Sequence, residues 1–305
     1  MSRPRVAILP RDKDDLYRDV TASGGKVVEP DEAEGIIYTD ARDPSALTRV
    51  LETSPAKWIQ LPFAGIEPFI DAGVIDSAHT WTCAKGIYGP STAEHALTLM
   101  LAAARKIPYY ARTRSWAPRG GERMLKDALV VLVGTGGIGR ALASMLTPLG
   151  PRLAAVNRSG RPMDLAAVTE TVDKLGDLVV DADFVVLATA LTKETRGLVD
   201  RELLDRMSSK TWVVNVGRGG LIDTGALVDA LERRAIGGAA LDVTDPEPLP
   251  DTHPLWELDN ALITPHIANT WNMALPELRA LIRRNVERYA AGEALEGLVD
   301  PSLGY

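Results

Sequence analysis

The segment of residues 134–139 constrains the fold of this chain more than any other feature. It reads Gly-Thr-Gly-Gly-Ile-Gly, follows the apolar run of residues 128–133, and precedes a stretch with helical periodicity. Glycines at this spacing allow a tight turn, a close backbone approach to a pyrophosphate, and close packing of a helix on a strand. The flanking strand and helix favour a dinucleotide site over a flexible turn, with the helix N-terminus facing the phosphates. The expected phosphate-binding residues are Gly134, Gly136, Gly137, Ile138 and Gly139.

Short apolar segments alternate with amphipathic stretches along the 305 residues, which predicts a βαβα organisation. A capping-box sequence at residues 91–94 and an Ala- and Leu-rich run at residues 96–105 predict a long helix between two such halves. Residues 109–127 lack periodicity and are interpreted as an extended arm or loop. Residues 276–291 begin with a proline suited to a first helical turn and predict a closing helix. The expected strands lie at residues 5–9, 26–28, 35–38, 58–61, 81–83, 128–133, 153–156, 184–188, 212–216, 239–243 and 262–264.

Composition and charge narrow the class of protein. Apolar residues make up 46% and charged residues 25%, as is ordinary for globular domains, and several expected strands are apolar on both faces, as in helix-covered parallel sheets. The sequence therefore predicts an α/β fold with two open parallel-sheet domains. The net charge of -7 argues against a nucleic-acid partner. Cys83 is the only cysteine, so no internal disulfide can form.

Three further sequence patterns bear on the expected location of the protein and on metal binding. No apolar run approaches the about 20 residues of a membrane helix, so we expect no membrane partner. The N-terminal residues lack a signal-peptide pattern, and a soluble, cytoplasmic protein is expected. The four histidines form no close pair and no cluster with the cysteine, so no metal site is expected.

The residues after the second strand of the glycine-loop half predict which dinucleotide binds. An NAD site usually has Asp or Glu there to hold the ribose 2′-hydroxyl, but this chain has Asn157. Arg158 can pair with a 2′-phosphate, Ser159 can donate a hydrogen bond to it, and Arg161 adds a second cation. This pattern favours NADP(H), with NAD(H) still possible, over the alternative of a solvated turn.

Three polar residues just beyond the ends of later strands form a candidate catalytic group. Arg218 lies between glycines and can bind a carboxylate through a two-pronged hydrogen bond. His266 follows a proline at a strand end and can exchange a proton near neutral pH. Glu247 can hydrogen bond to that imidazole and favour its charged form. His95 is interpreted as a packed helix residue. With the glycine loop, the three residues predict an oxidoreductase.

The ordered motifs resemble the D-isomer-specific 2-hydroxyacid dehydrogenase family over nearly the whole chain. The matching segments are LTKETRGLVD, NVGRGGLID, ALDVTDPEPLP and DTHPLWELDNALITPHIA, with FAGIE and STAEHALTLMLAAAR upstream. The resemblance implies a Rossmann dinucleotide-binding domain, residues 92–271, inserted into a flavodoxin-like substrate domain, residues 1–91 and 272–305. It also implies a homodimer that pairs through the dinucleotide-binding domains, with the segment of residues 109–127 as the candidate contact.

The same resemblance implies roles for individual residues. Arg218 would anchor the substrate carboxylate and carbonyl, His266 would donate the proton, and Glu247 would support His266. Asp242 would contact the nicotinamide carboxamide. Further residues lining the cofactor site would be Ala190, Glu194 and Val216. Backbone groups near Ala64 and Gly65 would bind the substrate carboxylate.

The sequence departs from the family pattern at three positions. Asn157 replaces the common Asp, which puts a preference for NAD in doubt. Ala190 stands where proline is frequent, and Asp127 stands where glycine is common. None of these departures removes a catalytic role.

The resemblance implies an NAD(P)-dependent D-2-hydroxyacid dehydrogenase whose substrate is a small 2-keto acid, with glyoxylate or hydroxypyruvate the leading candidate. Phe63 and Trp271 either shape an apolar pocket for a bulkier 2-keto acid or belong to the core. An NADP(H)-sensing scaffold without turnover is an alternative from another class. A different Rossmann enzyme, such as a methyltransferase, would leave the ordered Arg218, Glu247 and His266 unexplained.

Overall fold

The computed structural model describes residues 3–10, 14–41 and 43–301, and the chain divides into two compact units. The first unit is Met1–Tyr88 together with Trp271–Tyr305, and the second is Gly89–Thr270. The second unit is thus inserted into the sequence of the first. The domain boundaries expected from the sequence, after residues 91 and 271, lie three residues and one residue beyond those of the compact units.

The first unit is built on a parallel sheet with helices on its faces. Within the described residues its strands are β1 (Arg5–Leu9), β2 (Lys26–Val27), β3 (Gly35–Tyr38), β4 (Trp58–Gln60) and β5 (Thr80–Thr82). Their order is β2-β1-β3-β4-β5, which is the flavodoxin-like order, and every pairing is parallel. Its helices are α1 (Asp14–Ala22), α2 (Pro44–Leu51), α3 (Glu67–Asp71) and α10 (Trp271–Ala291).

Successive residues of this sheet enter two different apolar clusters, as the alternation of side chains along a strand requires. Ile36 packs in the cluster that contains Leu47 of α2, whereas Ile37 packs in the cluster that contains Leu278 of α10. Helix α10 therefore completes the first unit, although it follows the inserted unit in sequence.

The expected start of this closing helix at Pro276 is wrong. Helix α10 begins five residues earlier, at Trp271, and Pro276 lies inside it. A proline cannot donate the hydrogen bond to the carbonyl of Asn272, but this loss falls near the helix start. Burial of Ala274 against the sheet holds the additional turn in place, so tertiary packing overrides the local signal.

The second unit has a larger parallel sheet, again with helices on both faces. Within the described residues its strands are β6 (Leu129–Val133), β7 (Arg152–Val156), β8 (Val168–Glu170), β9 (Phe184–Leu187), β10 (Trp212–Asn215), β11 (Gly238–Leu241) and β12 (Ala261–Ile263). Their order is β12-β11-β10-β9-β6-β7-β8, a Rossmann order that reverses direction between β6 and β9. Its helices are α4 (Gly89–Ala104), α5 (Ile107–Arg112), α6 (Gly137–Leu146), α7 (Leu175–Leu178), α8 (Arg201–Arg206) and α9 (Thr224–Glu232).

The prediction of two parallel-sheet α/β domains is confirmed, but it omitted strand β8. Val168 begins this edge strand and is exposed, and its two successors are only half-buried. Such a short strand lacks the apolar run that identified the others, and it forms because β7 offers its free edge.

The capping box expected at Ser91 is also wrong. Helix α4 begins at Gly89, and the Ser91 hydroxyl donates to the side-chain oxygen of Asn269 instead of capping the helix. A Cβ at Gly89 would lie 2.8 Å from the Gly137 carbonyl carbon, so glycine lets α4 approach the start of α6. The close contact between these two helices decides where α4 begins.

The segment expected to be an arm is partly helical, since α5 occupies residues 107–112. The remainder, residues 113–127, has no helix or strand, and Trp116 within it is fully exposed. Asp127 ends this segment with φ +63°, in the left-handed region that favours glycine. None of the helices in the described part of the chain is long and apolar enough to cross a membrane.

Candidate active site

The glycine loop forms the tight strand-to-helix turn that the sequence predicts. Gly134 has φ +107°, and a Cβ there would lie 2.4 Å from the Ala188 carbonyl oxygen. A Cβ at Gly139 would lie 2.0 Å from the Gly134 carbonyl oxygen. Gly136, which immediately precedes α6, has open space on the side where a Cβ would project. The loop therefore fits a dinucleotide, because phosphates can approach the helix N-terminus without meeting a side chain.

Asn157 shapes the turn that follows β7. Its Nδ2 donates to Thr135 Oγ1 at 3.2 Å and to the Arg161 carbonyl at 2.9 Å. Its Oδ1 accepts from the Ser159 amide at 3.0 Å. The side chain thus ties this turn to the glycine loop. An aspartate at this position could accept from Ser159, but it could make neither of the two donor contacts.

The side chains of Arg158, Ser159 and Arg161 project from this turn and are exposed. Arg158 lies near Glu194, which follows β9. The hydroxyl of Thr192, 2.6 Å from Oε2 of Glu194, holds the pKa of that carboxyl below its usual range, and the charge of Arg158 lowers it further. Residues expected at the cofactor site therefore come together at the carboxyl ends of β7 and β9, the two strands that flank β6.

Two further residues expected at the cofactor site lie at the same edge. Ala190 follows β9, and its carbonyl accepts from the Thr195 hydroxyl at 2.8 Å. Val216 follows β10 and is buried. Their roles toward the cofactor remain predictions.

Arg218 lies in the loop after β10, on the same edge of the sheet as the glycine loop. Its guanidinium donates to the Gly217 carbonyl at 2.7 Å, and its own carbonyl accepts from Asn215 Nδ2 at 2.8 Å. A Cβ at Gly219 would lie 1.9 Å from the Thr244 carbonyl oxygen. Glycine at this position therefore lets the Arg218 loop pack directly on the loop after β11.

Glu247 and His266 are in direct contact. Nδ1 of His266 lies 2.6 Å from Oε1 of Glu247, and the side chains are 50% and 42% exposed. Because an ionised carboxylate only accepts, Nδ1 of the imidazole carries the proton in this bond. The other ring nitrogen, Nε2, is then the one that can exchange a proton with a ligand. The pairing expected from the sequence is present.

The side chain of Asp242 is buried, and its carboxylate is held by its own chain. Oδ1 accepts from the Thr264 hydroxyl at 2.7 Å and from the Ile267 amide at 2.9 Å. Oδ2 accepts from the Ala268 amide at 3.0 Å. The side chain is only 1% exposed, and its expected contact with a nicotinamide carboxamide stays a prediction.

His95 is a functional candidate that the sequence reasoning missed. This residue of α4 places Nε2 3.2 Å from Oδ1 of Asp242 and 2.9 Å from Oγ1 of Thr264. Its position on a predicted helix led to the interpretation of His95 as a packing residue. No neighbouring residue in the sequence indicates that a buried carboxylate faces this helix. The sequence Ala-Glu-His at residues 93–95 belongs to a segment that carries the family resemblance. That resemblance is the one sequence signal that could have indicated a functional role for His95.

The environment of Asp242 favours its charged form. Burial acts to raise the pKa of this carboxyl, but hydrogen bonds from His95, Thr264 and the amides of Ile267 and Ala268 outweigh burial and lower the pKa. Since the folded pKa lies below the unfolded one, the carboxylate stabilises the second unit at neutral pH. That contribution is lost as the pH falls through the folded pKa.

The residues expected to bind the substrate carboxylate lie in the first unit. Ala64 and Gly65 follow β4, between its carboxyl end and α3, and Ala64 is exposed. Phe63 and Trp271 meet edge to face, with ring centroids 5.9 Å apart, and both pack against the apolar cluster of this unit. These two aromatic side chains therefore contribute to the apolar core of the first unit.

Comparisons with known proteins agree on one family. The model for the NAD binding domain of D-isomer specific 2-hydroxyacid dehydrogenases matches residues 97–268. An uncharacterized protein of Corynebacterium melassecola is 43% identical over 82% of this chain and 84% of its own length. The glyoxylate reductase of Thermococcus kodakarensis is 34% identical over 70% of this chain and 67% of its own length.

A solved structure named for the same family is similar to this chain along its entire length. The D-isomer specific 2-hydroxyacid dehydrogenase of Xanthobacter autotrophicus Py2, in complex with NADPH and MES, is 26% identical, with a TM-score of 0.86 and 100% of both chains covered. Together with the glycine loop and the Glu247–His266 pair, these findings show that the chain belongs to the D-isomer specific 2-hydroxyacid dehydrogenase family of NAD(P)-dependent oxidoreductases.

Proposed function

We propose that this chain uses NADPH to reduce a small 2-keto acid to the D-2-hydroxy acid, with glyoxylate and hydroxypyruvate as the leading candidates. The observation that carries the proposal is the 2.6 Å contact between His266 and Glu247 at the sheet edge where the Arg218 and glycine loops also lie. Relatives named glyoxylate reductase support the choice of a small substrate.

In the proposed mechanism, bound NADPH supplies the hydride that reaches the carbonyl carbon. The Arg218 guanidinium binds the substrate carboxylate and polarises the carbonyl. The imidazolium of His266 gives its Nε2 proton to the carbonyl oxygen, while Nδ1 keeps its proton in the bond to Glu247. Neutral His266 then regains a proton from water, which its half-exposed ring can reach. In the reverse direction neutral His266 acts as the base.

The proposed preference for NADP(H) rests on Arg158, Ser159 and Arg161 in the turn after β7, where Asn157 replaces the carboxylate that is usual in NAD sites. We expect Arg158→Gln to raise the KM for NADPH by about 10- to 100-fold, since a hydrogen bond to a charged group contributes about 1.5–3 kcal/mol. The KM for NADH should change little, because NADH has no 2′-phosphate. Initial rates with each cofactor at saturating 2-keto acid give both constants.

The matched control is Arg206→Gln, which removes one exposed arginine from the same unit. Arg206 pairs with Asp177 on the surface and lies outside the turn after β7. Equal effects of the two variants on NADPH would contradict the role of Arg158. A wild-type kcat/KM with NADH equal to or above that with NADPH would contradict the preference itself.

The substrate proposal is tested by following the absorbance of NADPH with a panel of 2-keto acids. Steady oxidation with glyoxylate or hydroxypyruvate supports it. Oxidation only with branched or aromatic 2-keto acids would indicate a reductase of bulkier substrates. Binding of NADPH without turnover of any 2-keto acid would favour the sensing scaffold.

The proposed partner is a second copy of this chain, bound through the segment of residues 109–127. Two large apolar side chains of that segment, Trp116 and Met124, are exposed, and an interface formed by the segment would remove them from water. We expect light scattering to give the mass of a dimer, and Trp116→Ser to raise the dissociation constant. A monomeric wild-type chain would contradict this arrangement.

A further inference from the structure

We propose that His95 is a positioning residue that holds His266 in its reactive orientation through the buried carboxylate of Asp242. The link to catalysis rests on the proposed function, in which His266 transfers the proton. The link between the three residues rests on the geometry of the second unit alone.

The backbone of His266 needs external support. Its φ is +53°, in the left-handed region that non-glycine residues seldom adopt. Asp242 accepts hydrogen bonds from three consecutive backbone amides of this turn. The His266 amide donates to the Asp242 carbonyl at 2.8 Å. The Ile267 and Ala268 amides donate to the Asp242 carboxylate at 2.9 and 3.0 Å. Asp242 therefore determines the direction in which the imidazole leaves the turn.

The Asp242 carboxylate in turn needs its full set of donors, because an ionised group with 1% exposure is costly when its hydrogen bonds are incomplete. Thr264 gives its hydroxyl proton to Oδ1 at 2.7 Å, so the hydroxyl oxygen is left as an acceptor. Nε2 of His95 lies 2.9 Å from that oxygen and 3.2 Å from Oδ1. One N–H on Nε2 therefore serves both Thr264 and Asp242.

Helix α4 reaches the carboxylate that holds the proton-transfer turn through His95. His95 is 16% exposed and does not itself bond to Glu247 or His266 in any hydrogen bond of the described residues. Loss of His95 removes a donor from the buried carboxylate, which weakens the hold on Ile267 and Ala268. The imidazole of His266 then turns away from the position in which Nε2 meets the carbonyl oxygen. Misplacement of a catalytic group lowers kcat more than it weakens the binding of NADPH or of the 2-keto acid.

The test compares His95→Leu, which removes the donor, with His95→Gln, whose amide restores an N–H. We expect His95→Leu to lower kcat by about 10- to 100-fold while the KM values for NADPH and the 2-keto acid change by less than about 3-fold. His95→Gln should recover most of kcat. Thr98→Val is the control on the same helix, since its hydroxyl donates to the Glu94 carbonyl and has no other hydrogen bond within residues 3–10, 14–41 and 43–301, and it should match the wild type.

A second measurement does not depend on turnover. Proton NMR of the whole chain shows the Nδ1–H of His266 in its bond to Glu247 as a low-field resonance, assigned by its absence in His266→Gln. We expect His95→Leu to shift or broaden this resonance and His95→Gln to preserve it. If the wild type reduces no 2-keto acid, the proposed function fails, but this resonance still tests the link between the residues.

Two results would overturn the inference. One is a wild-type kcat together with an unchanged resonance in His95→Leu. The other is a fall in kcat and thermal midpoint of equal size in His95→Leu and His95→Gln, because a residue that only packs gains nothing from the restored N–H.

Discussion

His266→Gln is expected to lower kcat for 2-keto acid reduction by about 10²- to 10⁴-fold, the usual contribution of a general acid. Glutamine resembles histidine in size and keeps a polar amide in the turn beside Glu247, which lies 2.6 Å from Nδ1 in the native protein. It cannot give up a proton at neutral pH, so only the transfer is lost. Stopped-flow reduction at saturating NADPH measures this loss, and fluorescence titration should give a nearly unchanged Kd for NADPH.

The control for His266 is His253→Asn in the same unit. His253 accepts a hydrogen bond from the Leu255 amide at a helix start, a role that asparagine fills well. Its kcat should stay close to that of the wild type, because asparagine keeps the hydrogen bond to the Leu255 amide. Loss of NADPH binding in His266→Gln would show instead that this histidine is structural.

Arg218→Gln is expected to lower kcat/KM for the 2-keto acid by about 10²- to 10³-fold, because truncating one partner of a hydrogen-bonded charge pair costs about 2–5 kcal/mol. Arg218→Lys should recover only part of the loss, since an ammonium keeps the charge but lacks the planar fork. Steady-state rates of both variants across a range of 2-keto acid concentrations give the two values.

The methyl ester of the same 2-keto acid separates recognition of the carboxylate from other effects. The wild type should prefer the acid strongly, whereas Arg218→Gln should reduce acid and ester at similar rates. The rates of the wild type and of Arg218→Gln on the acid and on the ester form a thermodynamic cycle. This cycle isolates the interaction between the guanidinium and the carboxylate. An equal loss on acid and ester in the variant would contradict a carboxylate anchor.

Much of the architecture is readable from local sequence because buried parallel strands are short apolar runs between turns. The glycine loop, for example, requires a strand before it and a helix after it, and β6 and α6 occupy those positions. The contact between Glu247 and His266 could also be predicted, since each residue follows a strand of one parallel sheet, whose carboxyl ends share an edge.

Other features could not be read from the sequence because distant residues decide them. The start of α4 depends on contact with Gly137, the start of α10 depends on burial of Ala274, and the edge strand β8 depends on its neighbour β7. In each case the local sequence signal was either absent or less favourable than the tertiary packing of the element.

The sequence by itself predicted the chemistry of the proposed site: a glycine turn suited to phosphates, cations where a ribose carboxylate is usual, and an arginine, a glutamate and a histidine at successive strand ends. Only the tertiary structure decided how the histidine is held. His95 and Asp242 lie far apart along the chain, and they meet because α4 packs against β10 and β11. Residue type and spacing indicate which groups can react, whereas a buried carboxylate takes its donors from whichever elements the packing brings to it.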